Sequence, residues 1–234
     1  MIDLHCHLLP GIDDGAPDIE TAVRMAEMAY RDGITTIVAT PHLNETWRPG
    51  RSLITERIAE LKERLTIPLT LLVGADIALS HLLAADDPDT VVRINNSRYL
   101  MIELPEVFDP DIVEEQVFRF QRKGFSIILS HPERIPLLME KPELLARLVA
   151  RGCLGQVTSS SVTGKFGRHI QAQARRLLEK QLVHVIGTDA HSDVHRKPIL
   201  SSAFETARQW IGDAARDLVT TVPEKIINDR VVET

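Results

Sequence analysis

SIILSH, residues 126–131, is an aliphatic run closed by a histidine, and it follows Lys123-Gly124-Phe125 directly. Runs of the same kind stand at 35–40 (TTIVAT), 70–75 (TLLVGA) and 183–188 (VHVIGT). Nearly continuous Val, Ile and Leu over this length suits strands buried on both faces, as in a parallel sheet. Working outward, the apolar runs are 2–7, 34–42, 69–77, 99–104, 125–131, 154–158 and 182–191, each followed by a polar loop and a segment of helical period. Ala22, Val23, Ala26, Ala29 and Tyr30 form one helical stripe, and Leu53, Ile54, Ile58, Leu61 and Leu65 another. Later helices are expected to start near Pro110, Pro142, Gly167, Pro198 and Pro223, because proline in a first turn forfeits no needed donor. Gly33, Gly124 and Gly152 each follow a helix and precede a strand, the place of a left-handed cap. Seven strand–helix units in alternation predict a parallel α/β fold, with residues 1–234 as one domain. A barrel fits the length; an open doubly wound sheet is the other topology this pattern allows.

Composition narrows the function classes. The 234 residues are 44% hydrophobic and 26% charged, the balance of a globular protein with a sizeable core. The formal net charge is −6, without a basic block, which argues against binding to nucleic acid or an anionic membrane. Two cysteines make no disulfide framework and suggest a reducing compartment. The start MIDLHCH lacks the pattern of a signal peptide and no run reaches a membrane span, so a cytoplasmic location is expected.

The chemistry sits where the runs end. His5 and His7 (DLHCH), His42 (ATPH), His131 (LSHPER) and His191 (TDAH) close apolar runs. Asp76 (VGADI), Glu103 (MIELP) and Asp189 (GTDAH) share that location, and Asp13 and Asp14 follow the first run in PGIDDG. In parallel α/β proteins the carboxyl ends of the strands converge on one mouth. His5 and His7 are two apart on a strand, so both face one way and Cys6 the other. Paired imidazoles with several carboxylates and no thiolate suit Zn, Mn or Fe, and packed carboxylates need cations to coexist. His81, His169 and His184 lie in helical or mid-strand patterns and read as structural; His195 is left open. Arg134 and Arg196 fall in loops over the mouth, where guanidinium groups hold phosphate oxygens in pairs. Metals beside arginines imply phosphoester hydrolysis. The polar segment 156–167 (QVTSSSVTGKFG) forms another wall and lacks the spacing of a Walker loop.

HxH, PGIDDG, TPH, GxDI, RYxxIELP, SHPER, QVxSSSxxGxFG and TDAH with a following arginine, in this order, resemble the bacterial PHP-family protein-tyrosine phosphatases of capsular and exopolysaccharide synthesis. The resemblance spans about residues 1–230, and RYLMIELP, SHPERI and VTGKFG are its more specific parts. It implies a distorted (β/α)7 TIM-like barrel with up to three divalent metal ions. By position, one metal would take His5, His7, Asp76 and Asp189; a second Asp76, Glu103 and His131; a third Asp14, His42 and His191. Arg134 and Arg196 match the family's phosphate-binding arginines, which with Asp189 form the expected catalytic set. The sequence departs from the family in three places. Asp76 stands where glutamate is usual and is one methylene shorter, implying a backbone adjustment or a weaker second metal. Val157–Ser161 (VTSSS) replaces a version containing asparagine, and Val222-Pro223 stands where Asn-Pro is commoner.

The expected reaction is metal-assisted hydrolysis of phosphotyrosine on the tail of a membrane-associated tyrosine kinase, with Trp47, Phe108 and Phe166 placed to flank an aromatic ring. A cysteine mechanism is excluded by spacing: six residues after Cys6 stands Ile12, and six after Cys153 stands Ser159, so neither reaches an arginine. Three rivals stay open at this point: a PHP phosphatase of a small metabolite such as histidinol phosphate or a sugar phosphate, a PHP exonuclease or phosphodiesterase, and a catalytically weak module that binds a phosphorylated tail. A metabolite pocket would be deep and narrow, whereas a protein tail needs an open mouth.

Overall fold

The computed structural model describes residues 1–84 and 91–234. Among these residues the apolar runs become nine strands: β1 (Ile2–Cys6), β2 (Thr36–Ala39), β3 (His42–Leu43), β4 (Thr70–Val73), β5 (Asp76–Ala78), β6 (Tyr99–Glu103), β7 (Ser126–Ser130), β8 (Leu154–Thr158) and β9 (Val185–Gly187). Every strand pair is parallel. The strands form two sheets, ordered β1-β2-β4 and β3-β5-β6-β7-β8-β9. A parallel bridge from Cys6 to Ala190 brings the end of β1 beside the chain leaving β9. The sheet is therefore curled, with helices packed on its outer face, and the open doubly wound alternative does not apply.

Two runs that read as single strands are each broken in the middle. Run 34–42 divides into β2 and β3 at Thr40-Pro41, where proline offers no ladder donor. The Pro41 carbonyl instead accepts the Asp76 N–H at 3.1 Å. Run 69–77 divides into β4 and β5 at Gly74-Ala75, and a Cβ on Gly74 would meet Val38 Cγ1 at 2.6 Å. The two breaks lie side by side, so the β2–β4 pairing passes to β3–β5 beyond them.

Alternation along the strands separates an outer and an inner core. On β6, Leu100 and Ile102 pack in the outer core beneath the helices. Tyr99 and Met101 point inward, among Leu4, Val38, Ile128, Leu154 and Val185, with Ile94 and Ile226 closing that end. Burying each such side chain contributes about 1.5–3 kcal/mol. One step further along the same faces come Glu103 after Met101 and Gln156 after Leu154. The period of two thus places a polar layer directly over an apolar plug.

Helix boundaries follow the punctuation. The helices Ile19–Arg31, Pro110–Arg122 and Pro142–Ala150 are followed by Gly33, Gly124 and Gly152 at positive φ. Helix Arg168–Glu179 starts just after Gly167, as expected. The expected start at Pro198 is displaced to Ser201, because Asp32, at the end of an earlier helix, accepts the Leu200 and Ser201 N–H groups and fixes the first turn there. The last helix, Thr221–Ile227, begins two residues before Pro223, which still falls within the first turn.

The chain's end is tied under the plug. The Tyr99 hydroxyl donates to the Arg230 carbonyl at 2.8 Å and accepts the Val232 N–H at 3.1 Å, while Arg98 pairs with Asp229 at 2.9 Å. Tyr99→Phe leaves these two backbone groups without their partner. The expected cost is about 1–2 kcal/mol, read as a fall of roughly 2–8 °C in Tm; an unchanged melting curve would show that the tail is not held there. Among the described residues no helix is long and apolar enough to cross a membrane.

Candidate metal centre

Of the nine sequence-predicted ligand positions, seven lie at the carboxyl ends of strands or in the loops just beyond, and His42 and Asp76 open β3 and β5, just past the breaks that follow β2 and β4. Eight of the nine, all but His131, form three overlapping groups whose donor atoms lie within 4.8 Å of one another: His7, Asp14, His42 and His191; His5, His7 and Asp189; His42, Asp76 and Glu103. Asp76 adjoins the middle group, with Oδ2 at 3.5 Å from His5 Nε2. The first and third ligand sets implied by the resemblance are thus brought together. In the second set His42 also stands beside Asp76 and Glu103, its Nδ1 3.6 and 3.7 Å from their oxygens. His131 Nε2 lies against the other oxygen of Glu103, at 3.3 Å.

A bulge in β1 aims the two histidines. Between the pairs Asp3–Ile37 and Cys6–Ala39, β1 carries one more residue than β2. Leu4 packs in the inner plug and Cys6 in the outer core although they are two apart, so the extra residue reverses the face and turns His5 and His7 inward. Asp3 holds the bulge: it accepts the His5 N–H at 3.2 Å, and from Thr188 the N–H at 2.9 Å and the hydroxyl at 2.5 Å. Thr188 precedes Asp189, so one buried carboxylate fixes two of the groups. Burial pushes the Asp3 carboxyl up to about 7, against the pull of those donors.

The histidines are also oriented from behind. His5 Nδ1 lies 2.8 Å from Gln156 Oε1, and His7 Nδ1 lies 2.7 Å from Asp13 Oδ2. With Nδ1 donating in each, both Nε2 lone pairs face the same space, 3.1 Å apart. Asp13 also accepts the Gly15 N–H, and a Cβ on Gly15 would meet the His7 carbonyl at 2.1 Å, which explains a glycine there. Asp3, Asp13 and Gln156 were not assigned roles from the sequence. For Gln156 the signal is a polar residue inside a buried strand; for Asp13 it is the doubled acid of PGIDDG. Asp3 carries no signal apart from an acid inside an apolar run. Asp3→Ala is expected to weaken divalent-metal affinity about 10–100-fold in a calorimetric titration, with Asp3→Asn recovering part of the loss. Wild-type affinity in both variants would remove Asp3 from the positioning of the site.

The donor set fits divalent cations. Asp76 is fully buried and both its oxygens lack a hydrogen-bond partner, as do His42 Nδ1 and His191 Nε2. A dry carboxylate without donors is costly unless a cation sits against it. Without one, burial and then the nearby Glu103 charge raise its pKa to about 7. Burial and then His7 hold His42 down at about 4, and burial lowers His5 strongly, so both imidazoles stay neutral and able to ligate. For His7 burial is outweighed by the Asp13 and Asp189 carboxylates, which lift it to about 10. The His191 imidazole, 3.4 Å away, draws Asp14 down to about 2, and for Glu103 burial is outweighed by the His131 contact, which brings it to about 2.

An anion would meet two guanidinium groups at the same place. Asp189 Oδ1 lies 3.5 Å from both His5 Nε2 and His7 Nε2, while Oδ2 holds Arg134 at 2.8 Å and Arg196 at 2.5 Å. The Arg196 Nε–H is buried and has no acceptor. Arg134 lies over the Phe166 ring at 5.3 Å, and Trp47 stacks against His42 with ring centroids 5.9 Å apart. His131 and Asp189 both take positive φ, 35° and 50°, unusual backbone for residues other than glycine and frequent at functional sites. The thiols take no part. Both cysteines are buried, and burial pushes Cys6 strongly up and Cys153 up to about 12. His184, read as structural, accepts the Gly155 N–H at 3.1 Å.

A curled parallel sheet with an inward-facing histidine–carboxylate cluster and paired arginines at its carboxyl mouth defines a class: α/β proteins with a metal centre suited to hydrolysis. Within that class, the profile of the family described as "Capsular polysaccharide synthesis, CpsB/CapC" matches residues 1–228, and this chain belongs to that family. It is 33% identical to the tyrosine-protein phosphatase YwqE of Bacillus subtilis (strain 168), over 99% of this chain and 93% of that protein. It is 32% identical to the putative tyrosine-protein phosphatase CapC of Staphylococcus aureus, over 87% of this chain and 82% of that protein. A solved structure from work on YwqE of Bacillus subtilis and CpsB of Streptococcus pneumoniae, described there as unique metal-dependent tyrosine phosphatases, matches with a TM-score of 0.92 at 33% identity. That match covers 99% of this chain and 96% of the other.

Proposed function

We propose that this chain is a metal-dependent protein-tyrosine phosphatase acting in the cytoplasm on a tyrosine kinase of capsular or exopolysaccharide synthesis. Residues 1–234 form one domain, and its interrupted strands make up a distorted (β/α)7 barrel in which β2 with β3, and β4 with β5, each count as one position. The observation that carries the reading is the meeting of unpartnered groups of both signs. Asp76, His42 and His191 offer lone pairs without donors, and Arg196 offers a buried N–H without an acceptor. A phosphate ester beside divalent cations satisfies both. The names of the relatives at about one-third identity agree with it.

The ligands are His5, His7, Asp14, His42, Asp76, Glu103, His131, Asp189 and His191, holding up to three ions of Mn, Fe or Zn. Bound there, such ions supply a nucleophile at neutral pH and neutralise phosphoryl oxygens. The protein's own groups do the rest. Arg134 and Arg196 bind the phosphoryl oxygens that face away from the histidines and orient the ester in line. Asp189 sets the spacing of both guanidinium groups through one oxygen while its other oxygen faces the ligands. Trp47 and Phe166 bound the space for the substrate ring. The leaving phenolate, with a pKa of about 10, departs without a covalent link to the protein, consistent with the buried thiols.

The mouth favours a peptide over a metabolite: a cleft of about 680 Å³ leads outward from Glu103, His131 and Arg134. With Mn present, a phosphotyrosine peptide is expected to be hydrolysed at least about 10²-fold more efficiently, by kcat/KM, than histidinol phosphate. The reverse order would make this a metabolite phosphatase.

A further inference from the structure

The cleft beside the metal centre is built for something other than a phosphate. Its floor is apolar, formed by Leu79, Leu104 and Phe108. Its rim carries Leu83, Val107 and Ile112, which are 41%, 86% and 45% exposed. These are three of the six large hydrophobic side chains most exposed among the described residues, and all three line one opening. Scattered exposed aliphatics are ordinary; a cluster rimmed by polar groups marks a contact surface. The polar groups here share one sign. Glu45, Glu106 and Asp109 are exposed along the cleft; Arg134, the one Lys or Arg of its lining, is paired with Asp189, and Arg48 and His81 lie near Glu45 alone of the three acids. The cleft is continuous with the centre: Glu103 belongs to both, and His131 and Arg134, which line the cleft, contact Glu103 and Asp189 of the centre.

We infer that this cleft is a specificity subsite that holds the residues flanking the phosphotyrosine: one apolar side chain on the floor, followed by a Lys or Arg facing the acidic rim. The inference rests on the phosphatase reading of the adjacent centre and adds to it which peptide is chosen. The occupant follows from two features together. An aliphatic floor takes an aliphatic side chain, and carboxylates on the rim repel acidic sequences and attract basic ones. A free phosphotyrosine or a metabolite would leave the cleft unused.

The test uses the full-length metal-loaded protein and phosphotyrosine peptides of one length. Leu, Asp and Lys are placed in turn at each of the three positions on either side of the phosphotyrosine. On one side, Leu adjoining the phosphotyrosine with Lys beyond it is expected to give at least about tenfold higher kcat/KM than Asp at those positions, carried by KM. Leu83→Asp and Ile112→Asp, both at exposed positions, are expected to erase that preference and leave p-nitrophenyl phosphate turnover within about twofold of wild type. Equal turnover of all peptides, with p-nitrophenyl phosphate still hydrolysed, would overturn the subsite alone. So would concentration-dependent self-association in size-exclusion chromatography that both variants abolish, since the face would then belong to a second copy of the chain. Failure to hydrolyse any ester, p-nitrophenyl phosphate included, would remove the phosphatase reading and the subsite with it.

Discussion

His5→Ala and His7→Ala are each expected to lower kcat/KM for a phosphotyrosine peptide by at least about 10³-fold, the several kcal/mol of charge stabilisation that bound cations supply. The two side chains are held from behind by Gln156 and Asp13 and present their Nε2 atoms to one space, so neither can be replaced by a neighbour. Metal analysis of the purified variants should show lost metal, with the far-ultraviolet dichroism of the wild type. Chelation and dialysis of the wild-type protein should reproduce the loss and added Mn should reverse it. Alkylation in the folded state should change nothing, because both thiols are buried and neither lies on a path to the phosphate. Full activity in His7→Ala, or in chelated protein, would remove the metal from the mechanism.

Arg134→Ala and Arg196→Ala are expected to cost about 10²–10³-fold each in kcat/KM, the usual loss on removing one donor to a developing oxyanion. Lysine should restore little at either position, since an ammonium cannot form the paired contacts of a guanidinium group. Both arginines share Asp189 Oδ2, so the double variant should lose less than the product of the single losses. Metal content should stay near wild type, which separates these variants from the histidine ones. A variant that binds inorganic phosphate as tightly as wild type would show that its arginine does not touch the anion.

Much of the molecule was legible in the chain. Aliphatic runs ending in His or a carboxylate announced parallel strands with a common mouth, and His5, His7, Asp14, His42, Asp76, Glu103, Asp189 and His191 all meet in the three donor groups. Periodicity could do this because side-chain direction along a strand is set by geometry alone. What was not legible depends on contacts between distant segments. The breaks at Thr40-Pro41 and Gly74-Ala75 matter because they lie side by side in the sheet. The β1 bulge is visible only in its register against β2, and Asp3 earns its place through Thr188, far along the chain. Pro198 misplaced a helix start because the cap comes from Asp32, at the end of another helix. That His42 also stands beside Asp76 and Glu103 arises from ring placement that no spacing rule encodes.

The most direct measurement is an anomalous-scattering map, recorded at the Mn, Fe and Zn edges, from crystals soaked in phosphate. Expected are metal peaks within the groups formed by His5, His7 and Asp189, by Asp14, His42 and His191, and against Asp76, with a phosphate spanning them and both arginines. A map without metal at Asp76 and the paired histidines, or with phosphate bound away from Arg134 and Arg196, would contradict the site at its centre.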